Sequence, residues 1–153
     1  MKIPHAALGL GLAGLLPFLG GGLLALWQGA SEPIFPVLLG WVPGRGDALL
    51  VHYGQIILCF MSGVLWGFAT RGEPRHSWRL YTLSVLPALW VLFATGHTVS
   101  SDLGALIAGF GLLLMLDRYF WQRGLTPEWW MRLRVLLTAG VLACLCLPLV
   151  FLS

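Results

Sequence analysis

The stretch HYGQIILCFMSGVLWGFATR, residues 52–71, decides how the chain is read. It is almost long and apolar enough to cross a membrane alone, since about 20 mainly apolar residues span the hydrocarbon core. Yet His52, Gln55, Cys59, Ser62 and Trp66 stand among its leucines and isoleucines. At about 100° per residue these five, with Gly63 and Thr70, fall within an arc of roughly 100°. Ile56, Ile57, Leu58, Val64 and Leu65 largely fill the rest. An unpaired polar side chain is costly in lipid, whereas a partner across a helix contact recovers part of the loss. The polar face of His52, Gln55, Cys59, Ser62, Gly63, Trp66 and Gly67 is therefore expected to turn toward other helices. Gly63 and Gly67 also form a G-x-x-x-G step, which admits a neighbouring backbone closely. Ala7 with Gly11, Gly104 with Ala108 and Ala105 with Gly109 repeat that spacing. A tight inner bundle of the first, second and fourth spans is expected from them.

Composition makes the solvent lipid for most of the chain. Of 153 residues, 58% are hydrophobic and 10% charged, against about 25% charged in ordinary soluble domains. A soluble domain of this size has too much surface to hide so much apolar area. Five segments meet the length test, at residues 6–27, 48–70, 80–97, 103–121 and 132–152. Turn-forming Gly, Pro, Ser and Asp separate them. Pro87 sits inside the third span and predicts a kink, and Pro17 and Pro148 raise the same issue. The first apolar stretch is long for the core of a cleaved signal peptide, so it is expected to stay as a helix.

Arginine placement predicts the orientation. With the N-terminus inside, the inner face holds Lys2, Arg71, Arg75, Arg79, Arg118, Arg123, Arg132 and Arg134, and the outer face Arg45 alone. An odd number of spans produces this positive-inside pattern. The expected fold is therefore all-α, a single-domain integral membrane bundle of five transmembrane helices, N-terminus inside and C-terminus outside. The first outer loop contains PIFPVLLGWVPG, apolar but too short to span, and is expected to be interfacial or re-entrant. Before the last span, Thr126 is placed to cap the helix, with Pro127 and Glu128 in the first turn. Trp129 and Trp130 are expected at headgroup level, with Arg132 and Arg134 reaching the anionic leaflet.

Ionisable residues at membrane depth are the candidates for chemistry. His52, His97 and Asp102 approach one outer face, with Asp47 nearby. Such a set suits a divalent metal, a proton relay or a quinone or haem, although nothing in the spacing demands it. Asp117, near the inner end of the fourth span, is expected to pair with Arg79 or Arg134. Cys59, Cys144 and Cys146 have neither zinc nor redox spacing and read as small buried hydrophobes. No phosphate-binding loop, H-E-x-x-H or G-x-S-x-G occurs, and the net charge of +3 includes no basic run interleaved with aromatics. Soluble-type catalysis and nucleic-acid binding are not expected.

AALGLGLAGLLPF (6–18), YGQIILCFMSGVLWG (53–67) and PEWWMRLRVLLT (127–138) resemble the domain of unknown function 3429 family. That family includes bacterial membrane proteins and mitochondrial relatives of transmembrane protein 69. The resemblance covers nearly the whole chain, and its most specific feature falls on Tyr53, Gly54, Trp66 and Gly67. A small residue or serine is usual in the family where this chain has Cys59 and Phe60. What the resemblance implies is a small multi-span membrane protein, with no reaction attached.

Taken together, these features lead us to expect a protein without evident catalysis in the bacterial inner membrane. Its expected role is accessory subunit or assembly factor, with lipid and a membrane-protein partner or second copy as its contacts. The absence of an Arg- and Ser-rich presequence favours that membrane over a mitochondrial one. The alternatives are a small dimeric transporter or channel component using the polar face, or a quinone- or haem-binding protein using His52 and His97.

Overall fold

A computed structural model describes residues 2–27, 46–72 and 77–151. Among these residues the chain is all α. The helices are α1 (His5–Ala13), α2 (Leu16–Trp27), α3 (Gly46–Ala69), α4 (Ser77–Ala94), α5 (Val99–Gln122) and α6 (Trp130–Phe151). Four stretches are long and apolar enough to cross a membrane: His5–Leu26, Gly46–Ala69, Val99–Gln122 and Trp130–Val150. The third expected span is a shorter apolar helix, Trp78–Ala94. The first outer loop, with its interfacial or re-entrant segment, lies outside the described residues, as do Arg45, Arg75 and His76.

α4 ends earlier than hydropathy suggests because a carboxylate closes the following turn. Asp102, in the first turn of α5, accepts from the backbone N–H of Gly96 at 3.0 Å and of His97 at 3.2 Å. Gly96 takes φ 98°, a left-handed conformation that suits glycine. Thr98 caps α5 by accepting from the Ser101 N–H at 3.3 Å. At the other end of α5, Gly124 adopts φ 69°. Its N–H bonds the Trp121 carbonyl while the Leu125 N–H reaches back to Phe120, a Schellman stop with both hydrophobic partners buried.

α3 is the hub, packing against α2, α4 and α5, while α6 packs against α1, α2 and α5. Its role follows from the prolines of its neighbours. A proline lacks an N–H and its ring crowds the carbonyl four residues back, so carbonyls near it need other donors inside a membrane. The first span breaks between α1 and α2, just before Pro17, and there Tyr53 of α3 donates its hydroxyl to the Gly14 carbonyl at 3.1 Å. In α4, in the turn before Pro87, Ser62 of α3 donates to the Ser84 carbonyl at 2.6 Å. Gln55 adds a bond to the Thr95 hydroxyl at 3.0 Å.

The side of α3 that faces inward differs from the expectation. Leu50, Gly54, Leu58, Met61, Ser62 and Leu65 are buried, whereas His52, Cys59, Gly63, Trp66, Gly67 and Thr70 are exposed. Of the polar face, Ser62 alone is buried, at its edge, and Gln55 is half-buried. Local bonds explain this, because exposed polar groups need no neighbouring helix. His52 Nδ1 donates to the Ala48 carbonyl at 2.8 Å, and the Thr70 hydroxyl to Gly67 at 2.7 Å.

Close approach uses Gly109 and Gly11 of the expected steps, together with Gly54 and Gly21. A Cβ on Gly54 would stand 2.8 Å from Leu106, and one on Gly109 would stand 2.9 Å from both Leu58 and Trp90. Gly63, Gly67 and Gly104 face open space. The contacts of Gly54, Gly109 and Gly21 draw α3 against α5 and α2, while Gly11 meets Leu137 of α6. The thiols divide similarly: Cys144 is buried, but Cys59 and Cys146 are exposed on the apolar surface.

These contacts predict opposite effects for two chemically identical changes. Gly109→Ala will destabilise the bundle by about 1–3 kcal/mol through overpacking. Gly63→Ala will shift stability by no more than about 0.5 kcal/mol. Unfolding in mixed micelles on titration with a denaturing detergent compares the two, and equal losses would contradict the packing described.

Candidate functional site

The outer-face residues do not converge on a ligand position. His97 is exposed and joins the turn through its backbone N–H, while Asp102 spends its carboxylate on that turn. His52 is bonded within its own helix. Asp47 is buried at the start of α3 and accepts from the Ala48 N–H. Among the described residues no group of three His, Cys, Asp or Glu side chains is arranged to hold a metal.

The inner end of α5 carries a denser arrangement. Asp117 is fully buried, and Arg134 Nε donates to its Oδ2 at 2.6 Å. Trp130 Nε1 donates to the other carboxylate oxygen at 2.8 Å. The carboxylate is thus held by one charged and one neutral donor, supplied by successive turns of α6. A buried pair of this kind is tolerated when both charges are closely matched and further hydrogen bonds serve the remaining lone pairs. Arg79, the other expected partner, instead lies over the Trp78 ring at 5.5 Å.

This geometry changes the expected anchor. Trp130 and Arg134 turn into the bundle rather than toward headgroups, because Asp117 requires their donors. Trp130 also packs edge-on against Phe68, with centroids 4.9 Å apart. Trp129 is half-buried and Arg132 exposed. Arg132 lines an open groove with Arg118, Trp121 and Glu128 where α5 meets α6. Thr126 does not cap α6: its hydroxyl is buried without a partner, and α6 starts at Trp130 after a turn through Pro127.

Three participants escaped the sequence reading. Arg71 donates to the Leu125 carbonyl at 3.1 Å, fastening the end of α3 to the α5–α6 turn. Trp90 Nε1 donates to the Ala105 carbonyl at 2.8 Å, joining α4 to α5. Thr138 stands one turn beyond Arg134 and, like Arg134 Nη2, is buried without a hydrogen-bond partner. For Thr138 a signal was available, since residues four apart share a helix face and Arg134 was already a candidate.

Removing one member of the pair will be worse than removing both. Asp117→Ala strands the guanidinium and is expected to lose about 3–5 kcal/mol, while Asp117→Leu with Arg134→Met recovers most of that. Denaturing-detergent titration of the three proteins measures the difference; a double variant no more stable than the single would refute the pairing.

The family described as "Protein of unknown function (DUF3429)" matches residues 3–150. Transmembrane protein 69 of Xenopus tropicalis is 32% identical over 139 residues, which cover 88% of this chain and 50% of that protein. The chain therefore spans about half the length of that curated relative. No solved structure matches. An all-helical bundle with four membrane-length helices, matched over nearly all its length, belongs to the DUF3429 family and is similar to transmembrane protein 69.

Proposed function

We propose that this chain is a non-catalytic protein of the bacterial inner membrane, packing against a larger membrane complex as an accessory subunit or assembly factor. The observation that carries this reading is the outward face of α3. Cys59, Gly63, Trp66 and Gly67 are exposed there, and a Cβ on either glycine would meet nothing within 4 Å. Among the described residues that small-residue step contributes no packing. Its use is to admit another helix at close range, where van der Waals contact substitutes for the missing hydrophobic drive between helices in lipid. Phe60, largely exposed, and Trp66, about half exposed, flank the step and supply aromatic surface for the same contact. A transport path along this face lacks such support within one chain, because its residues point outward among the described helices.

The same reading assigns five crossings, with α4 as the third, the N-terminus inside and the C-terminus outside. From α3 to α5 successive helices alternate in direction: Gln55 meets Thr95 and Ser62 meets Ser84 in antiparallel order, while Gly54 and Leu58 meet Leu106 and Gly109 in parallel order. Eighteen residues of α4 rise about 27 Å, close to the hydrocarbon thickness of roughly 30 Å. Arg71, Arg118, Arg123 and Arg132 then gather at one end, and the bond from Arg71 to Leu125 places two connecting turns together.

Two measurements test these assignments. In a chain whose native cysteines are replaced by alanine, an impermeant maleimide added to spheroplasts should label Ser100→Cys and spare Gln122→Cys; the reverse pattern would invert the topology. Gentle-detergent pull-down from native membranes, followed by mass spectrometry, should recover a stoichiometric membrane partner. Gly63→Leu with Gly67→Leu should abolish that recovery while leaving the chain folded. A native chain that always isolates as a lone monomer would overturn the accessory role.

A further inference from the structure

The ion pair leaves two donors unused. Arg134 gives Nε to Asp117, but its Nη2 has no partner, although the residue is only 6% exposed. Thr138 is 2% exposed and its hydroxyl bonds nothing, not even the carbonyl one turn back in its own helix. Buried polar groups are nearly always hydrogen-bonded, and two exceptions on one helix face one turn apart point to a missing acceptor. Both residues line a single cleft of about 160 Å³, walled by Gly14, Phe18, Phe110 and Val141. Leu10 and Phe60, 76% and 64% exposed, form its rim, so it opens sideways toward the acyl chains.

From this we infer that the cleft binds a neutral, lipid-soluble molecule through a carbonyl oxygen, which accepts from Arg134 Nη2 and the Thr138 hydroxyl. Charge selects neutrality. Asp117 and Arg134 already cancel, and a further anion would add an uncompensated charge to an apolar cleft. Shape selects an apolar body. Phe18 and Phe110 stand edge-on with centroids 6.0 Å apart, a wall suited to a flat ring or an acyl segment. Size excludes a lone water as the whole content, because one water occupies roughly 10–15 Å³ by the same measure. Two sources present such an oxygen at membrane depth: the ring carbonyl of a quinone and the ester carbonyl of a glycerolipid. The donors of this site lie on α6, apart from the outward glycine step of α3, although Phe60 borders both.

Thr138→Val tests the inference while keeping side-chain volume and the ion pair, and Thr138→Ser retains the hydroxyl. The full chain in mild detergent is titrated with a decyl-tailed benzoquinone, and in parallel with a diacylphosphatidylcholine, reading thermal stabilisation. One of the two should bind, about five- to tenfold more weakly in Thr138→Val, the loss of one hydrogen bond, and near native strength in Thr138→Ser. Binding of the quinone alone identifies a ring carbonyl, and of the phospholipid alone an ester. Absence of both, or equal affinity in native and Thr138→Val proteins, would mean the donors serve water and overturn the site.

Discussion

Inside a bilayer no water is at hand to take up a carbonyl that loses its helical partner, and this bundle carries prolines in three of its helices. α3 places donors beside two of them. Tyr53 reaches the break before Pro17, and Ser62 reaches the turn before Pro87. About two and a half turns separate these hydroxyls, so they lie on opposite flanks of α3 and serve neighbours on opposite sides. That pair of bonds fixes the rotation of α3 about its axis and its register against α2 and α4. The inward face of Leu50, Gly54, Leu58 and Leu65 follows, and with it the contact with α5 through Gly54 and Gly109. On α6, Pro148 is buried, and Gly22 of α2 lies close to the Cys144 carbonyl in the turn before it.

The two ends of α5 are secured by carboxylates used differently. Asp102 accepts backbone N–H groups from the α4–α5 turn, a structural task that removes it from any role as a ligand. Asp117 accepts a guanidinium and an indole from α6, one charged and one neutral donor. The Schellman stop at Gly124 makes the second arrangement possible by turning the chain back at once, so that α6 enters beside Asp117. Arg71 then holds the end of α3 to that turn. Charged groups therefore concentrate where the helix ends meet, while the middle of the bundle carries neutral polar contacts such as Ser62 on Ser84 among leucine, phenylalanine and glycine.

Hydropathy alone made the class of the protein and the approximate helix limits legible, because apolar runs of membrane length have no soluble alternative. The partner of Asp117 was narrowed to two arginines by its depth, and geometry then selected Arg134 over Arg79. The sidedness of α3 was not legible. Polarity does not mark the inward face, because His52 and Thr70 satisfy themselves on their own backbone, while Tyr53, which does bridge helices, sits outside the polar arc. Glycine spacing was equally ambiguous, since Ala105–Gly109 and Gly63–Gly67 both repeat at four, yet Gly109 packs closely and Gly63 and Gly67 do not, while Gly54 packs closely outside any such step.

The apolar pattern alone told that the described residues would be helical, roughly where the long helices would lie, and which residues would carry charge at their ends. These depend on local properties: apolar length and proline and glycine chemistry. Only the tertiary structure decided which face of each helix is buried, which carbonyls receive the hydroxyls of α3, and that Arg134 and Thr138 share a cleft with donors to spare. The physical reason is that lipid and protein interior are both apolar. Hydropathy distinguishes them poorly, so sidedness is set by which distant side chains complete one another's hydrogen bonds and by where a missing Cβ lets two backbones meet.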